Sequence, residues 1–149
     1  MVTDKLGSQT MTRMFPLIAC LLVVPLHAAA QVEMSGIKAA VKLEEPVSGH
    51  LEALNGQYKL RASEVTIEPG GKLGVHHHAG PGIRYVIAGE VTFVQGGKAT
   101  VYKPGQYFFE SGDIAHTAHN AGKAPLRMIF FEILPVSWSG ASVIAPKPH

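Results

Sequence analysis

His76, His78 and His116 have the residue type and the spacing to hold a divalent metal. In a β-strand successive side chains alternate faces, so His76 and His78 point the same way, about 6 to 7 Å apart at Cα, while His77 points to the other side. Two imidazoles so placed can share one ion. His116 would have to arrive from a non-adjacent strand, and its setting from Gly105 to Asn120 reads as strand, turn, strand. Neutral imidazoles suit a divalent transition metal such as zinc, iron, copper, nickel or manganese. Calcium and magnesium prefer oxygen shells.

The elements that must carry these histidines are short strands. Sixteen glycines and ten prolines at turn-like intervals argue against a helical bundle. Residues 58–68 alternate, Pro69-Gly70-Gly71 reads as a turn, and residues 73–78 form the first ligand strand. Residues 83–88 make an apolar strand ending at Gly89. Residues 91–94 and 99–103 read as a hairpin around Gly96-Gly97. Residues 106–109, 116–120 and 126–134 complete the set, residues 37–43 stay open between strand and short helix, and residues 135–149 read as a loosely attached tail.

The residues around the histidines resemble both motifs of the cupin superfamily. Gly70, five residues, His76-His77-His78, three residues, position 82, six residues and Gly89 follow the first motif's spacing. Gly105, His116 and Asn120 stand at the intervals of the second, with Ser111 and Asp113 where proline and glycine are usual. The resemblance implies an all-β fold, a single cupin β-barrel (a double-stranded β-helix, or jelly roll), over residues 31–149. It also implies a small metalloprotein, with an iron-dependent dioxygenase-type oxidoreductase as one activity. A non-catalytic, metal-free binding or sensing module is the alternative. In the family, position 82 supplies a carboxylate ligand, and here it is Gly82. Restoring it with Gly82→Glu is therefore expected to tighten metal binding and impair activity, or to cause misfolding if Gly82 is needed for its backbone freedom after Pro81.

Arg84, two positions after Gly82, would aim a guanidinium into the cavity if the register holds and bind an anionic substrate there; if the Gly80-Pro81-Gly82 turn shifts register, it is exposed or bridges to an acid. Glu110 and Glu132 are the acids best placed for catalysis or as a fourth ligand, although Glu132 sits in a weakly alternating run that leaves its face open. Arg84 and Glu110 are the candidate catalytic residues. The aromatic set Tyr85, Tyr102, Tyr107, Phe93, Phe108, Phe109, Phe130 and Phe131 reads as chiefly core. Asn120 reads as a turn-fixing residue.

Thirteen Lys plus Arg against eleven Asp plus Glu leave +2 over 149 residues, and removing residues 1–30 takes away Lys5, Arg13 and Asp4, leaving +1. No nucleic acid or other polyanion is implied as a partner. A small molecule is, and a homodimer is left open. Arg13, the apolar run 14–26 and Ala28-Ala29-Ala30 have the form of a signal peptide over residues 1–30, with Met11 as an alternative start. That run is too short for a membrane span. A lipoprotein box at Leu17-Ile18-Ala19-Cys20 competes, but the sequence stays apolar past Cys20. Periplasmic or secreted protein without cysteine is the expectation. Intact-mass measurement of protein recovered from the periplasm should give a chain beginning at or near Gln31. A mass that retains residues 1–30, or carries lipid on Cys20, would count against the leader.

Overall fold

The computed structural model describes residues 31–146, so the leader expected over residues 1–30 lies outside the described residues. Those described form nine strands and no helix: β1 (Met34–Pro46), β2 (Tyr58–His78), β3 (Gly82–Ala88), β4 (Val91–Gln95), β5 (Lys98–Tyr102), β6 (Tyr107–Glu110), β7 (His116–His119), β8 (Leu126–Pro135) and β9 (Val143–Ile144). No helix among them is long and apolar enough to cross a membrane. They make one sheet in the order β5-β4-β7-β2-β8-β3-β6, with β1 and β9 added alongside β2. The sheet curls into a nearly closed barrel. Across the gap between its ends, Phe93 of β4 and Tyr102 of β5 pack on Phe108 of β6, at ring separations of 5.3 and 4.4 Å.

Residues 37–43 are strand because β1 pairs antiparallel with β2 along almost its whole length, from Met34↔Leu73 to Pro46↔Lys59. Backbone pairing decides where side-chain periodicity could not. The turn expected at Pro69-Gly70-Gly71 is a bend inside one continuous 21-residue strand. Before the bend β2 pairs with β8, as far as Ile67↔Leu126, and after it with β7, from Lys72↔His119. Gly70 takes a φ of 75°, which an L side chain rarely adopts. Asn120 staples the bend: its Nδ2 donates to the Ile67 and Ala124 carbonyls, its Oδ1 accepts from Gly122 N, and its backbone bonds Gly70 and Gly71. The hairpin at Gly96-Gly97 is a two-residue turn with both φ values positive, the form that suits strand twist.

The interior divides into two halves. Val65, Ile67, Val86, Val91, Leu126 and Met128 fill one half with apolar side chains, each aliphatic one contributing about 1.5 to 3 kcal/mol by leaving water. Toward the other half the inward-facing positions turn polar. Directly paired residues share a face of the sheet, so the register Glu44↔Arg61↔Glu132↔Gly82↔Glu110 is one inner row across β1, β2, β8, β3 and β6. The next row, Leu43↔Ala62↔Phe131↔Ile83↔Phe109, faces outward. Phe109, Phe131 and Tyr107 are therefore exposed and not core, unlike Phe93 and Phe108. The aromatic set is mixed because adjacent residues in β6 and β8 face opposite ways.

The tail after Pro135 is not loose as far as Ile144. Lys59 Nζ donates to the Trp138 carbonyl and Arg61 Nη1 to that of Gly140, both at 2.7 Å, and β9 pairs with His77 and His78. Replacing Asn120 by alanine should cost roughly 2–4 kcal/mol, since several buried backbone groups lose their partners. Urea unfolding measures this. A loss below about 1 kcal/mol would mean that Gly70 alone sets the bend.

Candidate metal centre

His76 and His78, on one face of β2, and His116, the first residue of β7, each bring one ring nitrogen to within 4.8 Å of the others, and all three are buried. The expected non-adjacent strand is non-consecutive in the chain but lies beside β2, with His116 directly opposite His76. Ring orientation is fixed from behind. Nδ1–H of His76 donates to the Gly74 carbonyl at 2.8 Å, and Nδ1–H of His116 to that of Ile114 at 2.9 Å, which leaves both Nε2 atoms as lone-pair donors. His116 Nε2 is buried with no hydrogen-bond partner among the described residues. A buried, outward-aimed lone pair without a partner is what a ligand atom leaves behind, so the residues fit a divalent metal.

The acids and Arg84 complete the surroundings. Arg84 faces inward and is wholly buried, which settles the choice left open by the sequence. Its guanidinium bridges Glu110 at 2.6 Å and Glu132 at 3.1 Å and lies 4.1 Å over the Phe130 ring. Glu132 faces the interior as well. Glu110 Oε2 lies 3.1 Å from His78 Nε2, and its Oε1 lies 3.3 Å from His116 Nε2. On the far side of His78, Nδ1–H donates to Ser142 Oγ at 3.1 Å, and that hydroxyl donates to Glu132 at 2.5 Å. Ser142 could not be singled out by sequence pattern, because the strand β9 that follows it is only two residues long.

Burial sets the protonation behaviour, and neighbouring charges modify it. Desolvation pushes His76 down to about 4, against the pull of its Gly74 hydrogen bond. The same burial acts on His78, yet the Glu110 and Glu132 carboxylates outweigh it and raise that imidazole above its ordinary value. Burial would also raise Glu110, but His116, His78 and Arg84 hold it well below the usual carboxylate range. His76 is thus a ready neutral donor near pH 7. His78 holds its proton more firmly than an ordinary imidazole, because Glu110 and Glu132 face it.

A cavity of about 620 Å³ reaches His78 and Glu132 from the barrel mouth. Its wall is mostly apolar, with Phe130, Val65, Leu73 and Val143, and Lys59 and Arg61 stand on it beside Glu44. This is within the usual size of a small-molecule pocket.

The fold and site define a small β-barrel protein with three converging histidines that could hold a metal ion. The family model described as Cupin domain matches residues 63–132. An oxalate-binding protein of Thermotoga maritima is 30% identical over 102 residues, covering 68% of this chain and 82% of that protein. The chain belongs to the cupin family. Two solved structures share the fold: a predicted oxalate decarboxylase from Thermotoga maritima (TM-score 0.52, 23% identity, 70% of this chain and 92% of that one) and an RmlC-like cupin from Shewanella frigidimarina (0.51, 21%, 72% and 87%).

Gly82 has a role beyond lacking a ligand. A Cβ built there would stand 2.3 Å from Arg84 Nη1 and 2.5 Å from the Phe131 carbonyl oxygen. The backbone oxygen cannot step aside, so the expected gain from Gly82→Glu is corrected: any side chain at this position overpacks the site. Even Gly82→Ala should destabilise by about 1 to 3 kcal/mol. A thermal melt equal to wild type would show that β3 can shift to make room.

Proposed function

We propose that this chain is an exported cupin metalloprotein that holds one divalent transition metal, iron first, through His76, His78 and His116, and acts on a small carboxylate. The observation that carries this is the convergence of three buried imidazoles whose backs are tied by hydrogen bonds and one of whose Nε2 atoms has no partner among the described residues. When bound, the metal would supply open coordination positions for substrate and oxygen, the setting for dioxygenase-type chemistry in which both atoms of O2 enter the substrate. The chain's own groups do the rest. Lys59 and Arg61 place positive charge on the cavity wall, where a carboxylate would enter. Phe130, Val65 and Leu73 give the cavity an apolar wall. Arg84, held by Glu110 and Glu132, steadies the acid side of the centre, and its Nη1 remains without a hydrogen-bond partner among the described residues.

The relative named for oxalate binding supports a small carboxylate as the ligand class. The histidine set supports the metal.

Calorimetric titration of the metal-free protein with Fe(II), under anaerobic conditions, tests the centre. Wild type should bind, and His76→Ala, His78→Ala and His116→Ala should each weaken binding on the order of 100-fold, because each removes one of three imidazole donors. Affinity should also rise with pH across and above the ordinary imidazole range, as His78 loses the proton that Glu110 and Glu132 hold on it. Full affinity in the alanine variants would refute the assignment. Oxygen uptake by the iron-loaded protein on addition of oxalate and related small acids then tests the reaction class. Carboxylate binding without oxygen uptake would favour the non-catalytic binding module.

A further inference from the structure

Position 82, where the family's carboxylate ligand would stand, lies in β3 between β6 and β8 and is paired in register with Glu110 on one side and Glu132 on the other. Directly paired residues share a face, so the acid that β3 lacks is flanked on that face by two acids, one from each neighbouring strand. They are not equivalent. Glu132 points away from the other two imidazoles and is engaged by Arg84, by Ser142 and by the Nδ1 side of His78. Glu110 points at the histidines, with one oxygen near His78 Nε2 and the other near His116 Nε2.

The two oxygens of Glu110 are used differently. Oε2 accepts from Arg84 at 2.6 Å. Oε1 lies 3.3 Å from His116 Nε2, and that nitrogen has no hydrogen-bond partner among the described residues. With Nδ1–H of His116 committed to Ile114, Nε2 carries a lone pair, so two lone-pair atoms face each other in a buried place. Such a contact is favourable only when a proton or a cation lies between its two atoms. Neighbouring donors held about 2.0 to 2.2 Å from one cation stand about 2.8 to 3.6 Å apart, from six-coordinate to four-coordinate ions, so a shared ion would turn the contact into an attraction.

Arg84 explains how the exchange of strands is tolerated. Two carboxylates in this row would add one negative charge more than the single acid they replace. The guanidinium, folded back over Gly82 into the space a side chain there would fill, cancels the surplus. The row is left with one net negative charge, as with one acid at position 82. The arrangement also requires glycine at 82, since the Arg84 Nη1 atom occupies that side chain's place.

We propose that Glu110 is the fourth protein ligand of the metal held by the three histidines, supplying from β6 the carboxylate that β3 lacks at Gly82. Arg84 is then a positioning residue that holds Oε2 and leaves Oε1 to the ion. This rests on the metal reading above, and the test separates the two.

Cobalt(II) is the probe, titrated into metal-free wild type and the variants Glu110→Gln and Glu132→Gln, with affinity and the visible ligand-field absorption both recorded. In Glu110→Gln the affinity should fall on the order of tenfold or more and the absorption should change in position or intensity, because an anionic donor is lost. In Glu132→Gln the absorption should stay that of wild type. If Glu110→Gln does not fold because Arg84 is stranded, the double variant Arg84→Met/Glu110→Gln removes the stranded charge and should show the same loss. Wild-type affinity and absorption in Glu110→Gln would overturn the ligand assignment while the histidine site stands. An equal spectral change in both single variants would overturn it too, since the effect would then follow charge and not coordination. A wild type that takes up no cobalt would sink the metal reading and this assignment together.

Discussion

Arg84 can be wholly buried and charged only because Glu110 and Glu132 flank it from the strands on either side. Removing one partner from such a group typically costs about 3 to 5 kcal/mol, so the pairing constrains everything near it. It sets β6, β3 and β8 in one register, requires glycine at position 82, and holds Glu110 beside His78 and His116. The row continues outward through Arg61 to Glu44, charges alternating from the sheet's interior to the cavity mouth. A like-charged neighbour at any point of it would be repulsive.

The second constraint is the bend in β2. One strand carries both His76 and His78, and it must leave β8 and join β7 before it reaches them. Asn120, one residue beyond the strand that begins with His116, makes the bonds that fix that change of partner. The histidines on two strands are therefore positioned by one side chain at the far end of the shorter strand. The C-terminal segment supports the site from the opposite direction, with Ser142 linking His78 to Glu132. Residues after Pro135 belong to the site as much as the barrel does.

Much of this was legible from the sequence because spacing translates directly into geometry in a strand. The alternation of His76 and His78, the hairpin at Gly96-Gly97 and the all-β class follow from local pattern, and the cupin family from the resemblance of two motifs. So does the turn-fixing part played by Asn120. What was not legible depended on register between strands distant in the chain. Nothing near Gly82 tells that Glu110 and Glu132 will be its partners, and the weak alternation of β8 conceals that Glu132 points inward. Gly82 read as a missing ligand, whereas the packed guanidinium shows it as a position with no room. Phe109 and Phe131 read as core because their hydrophobicity is visible in sequence and their face is not.

X-ray absorption at the metal edge of iron-loaded wild-type protein addresses the central claim most directly, because imidazoles leave a characteristic multiple-scattering pattern in the outer shells. The account predicts a first shell of nitrogen and oxygen donors only, with scattering from three imidazoles. A first shell with fewer than two imidazoles, or no iron retained at all, would contradict it.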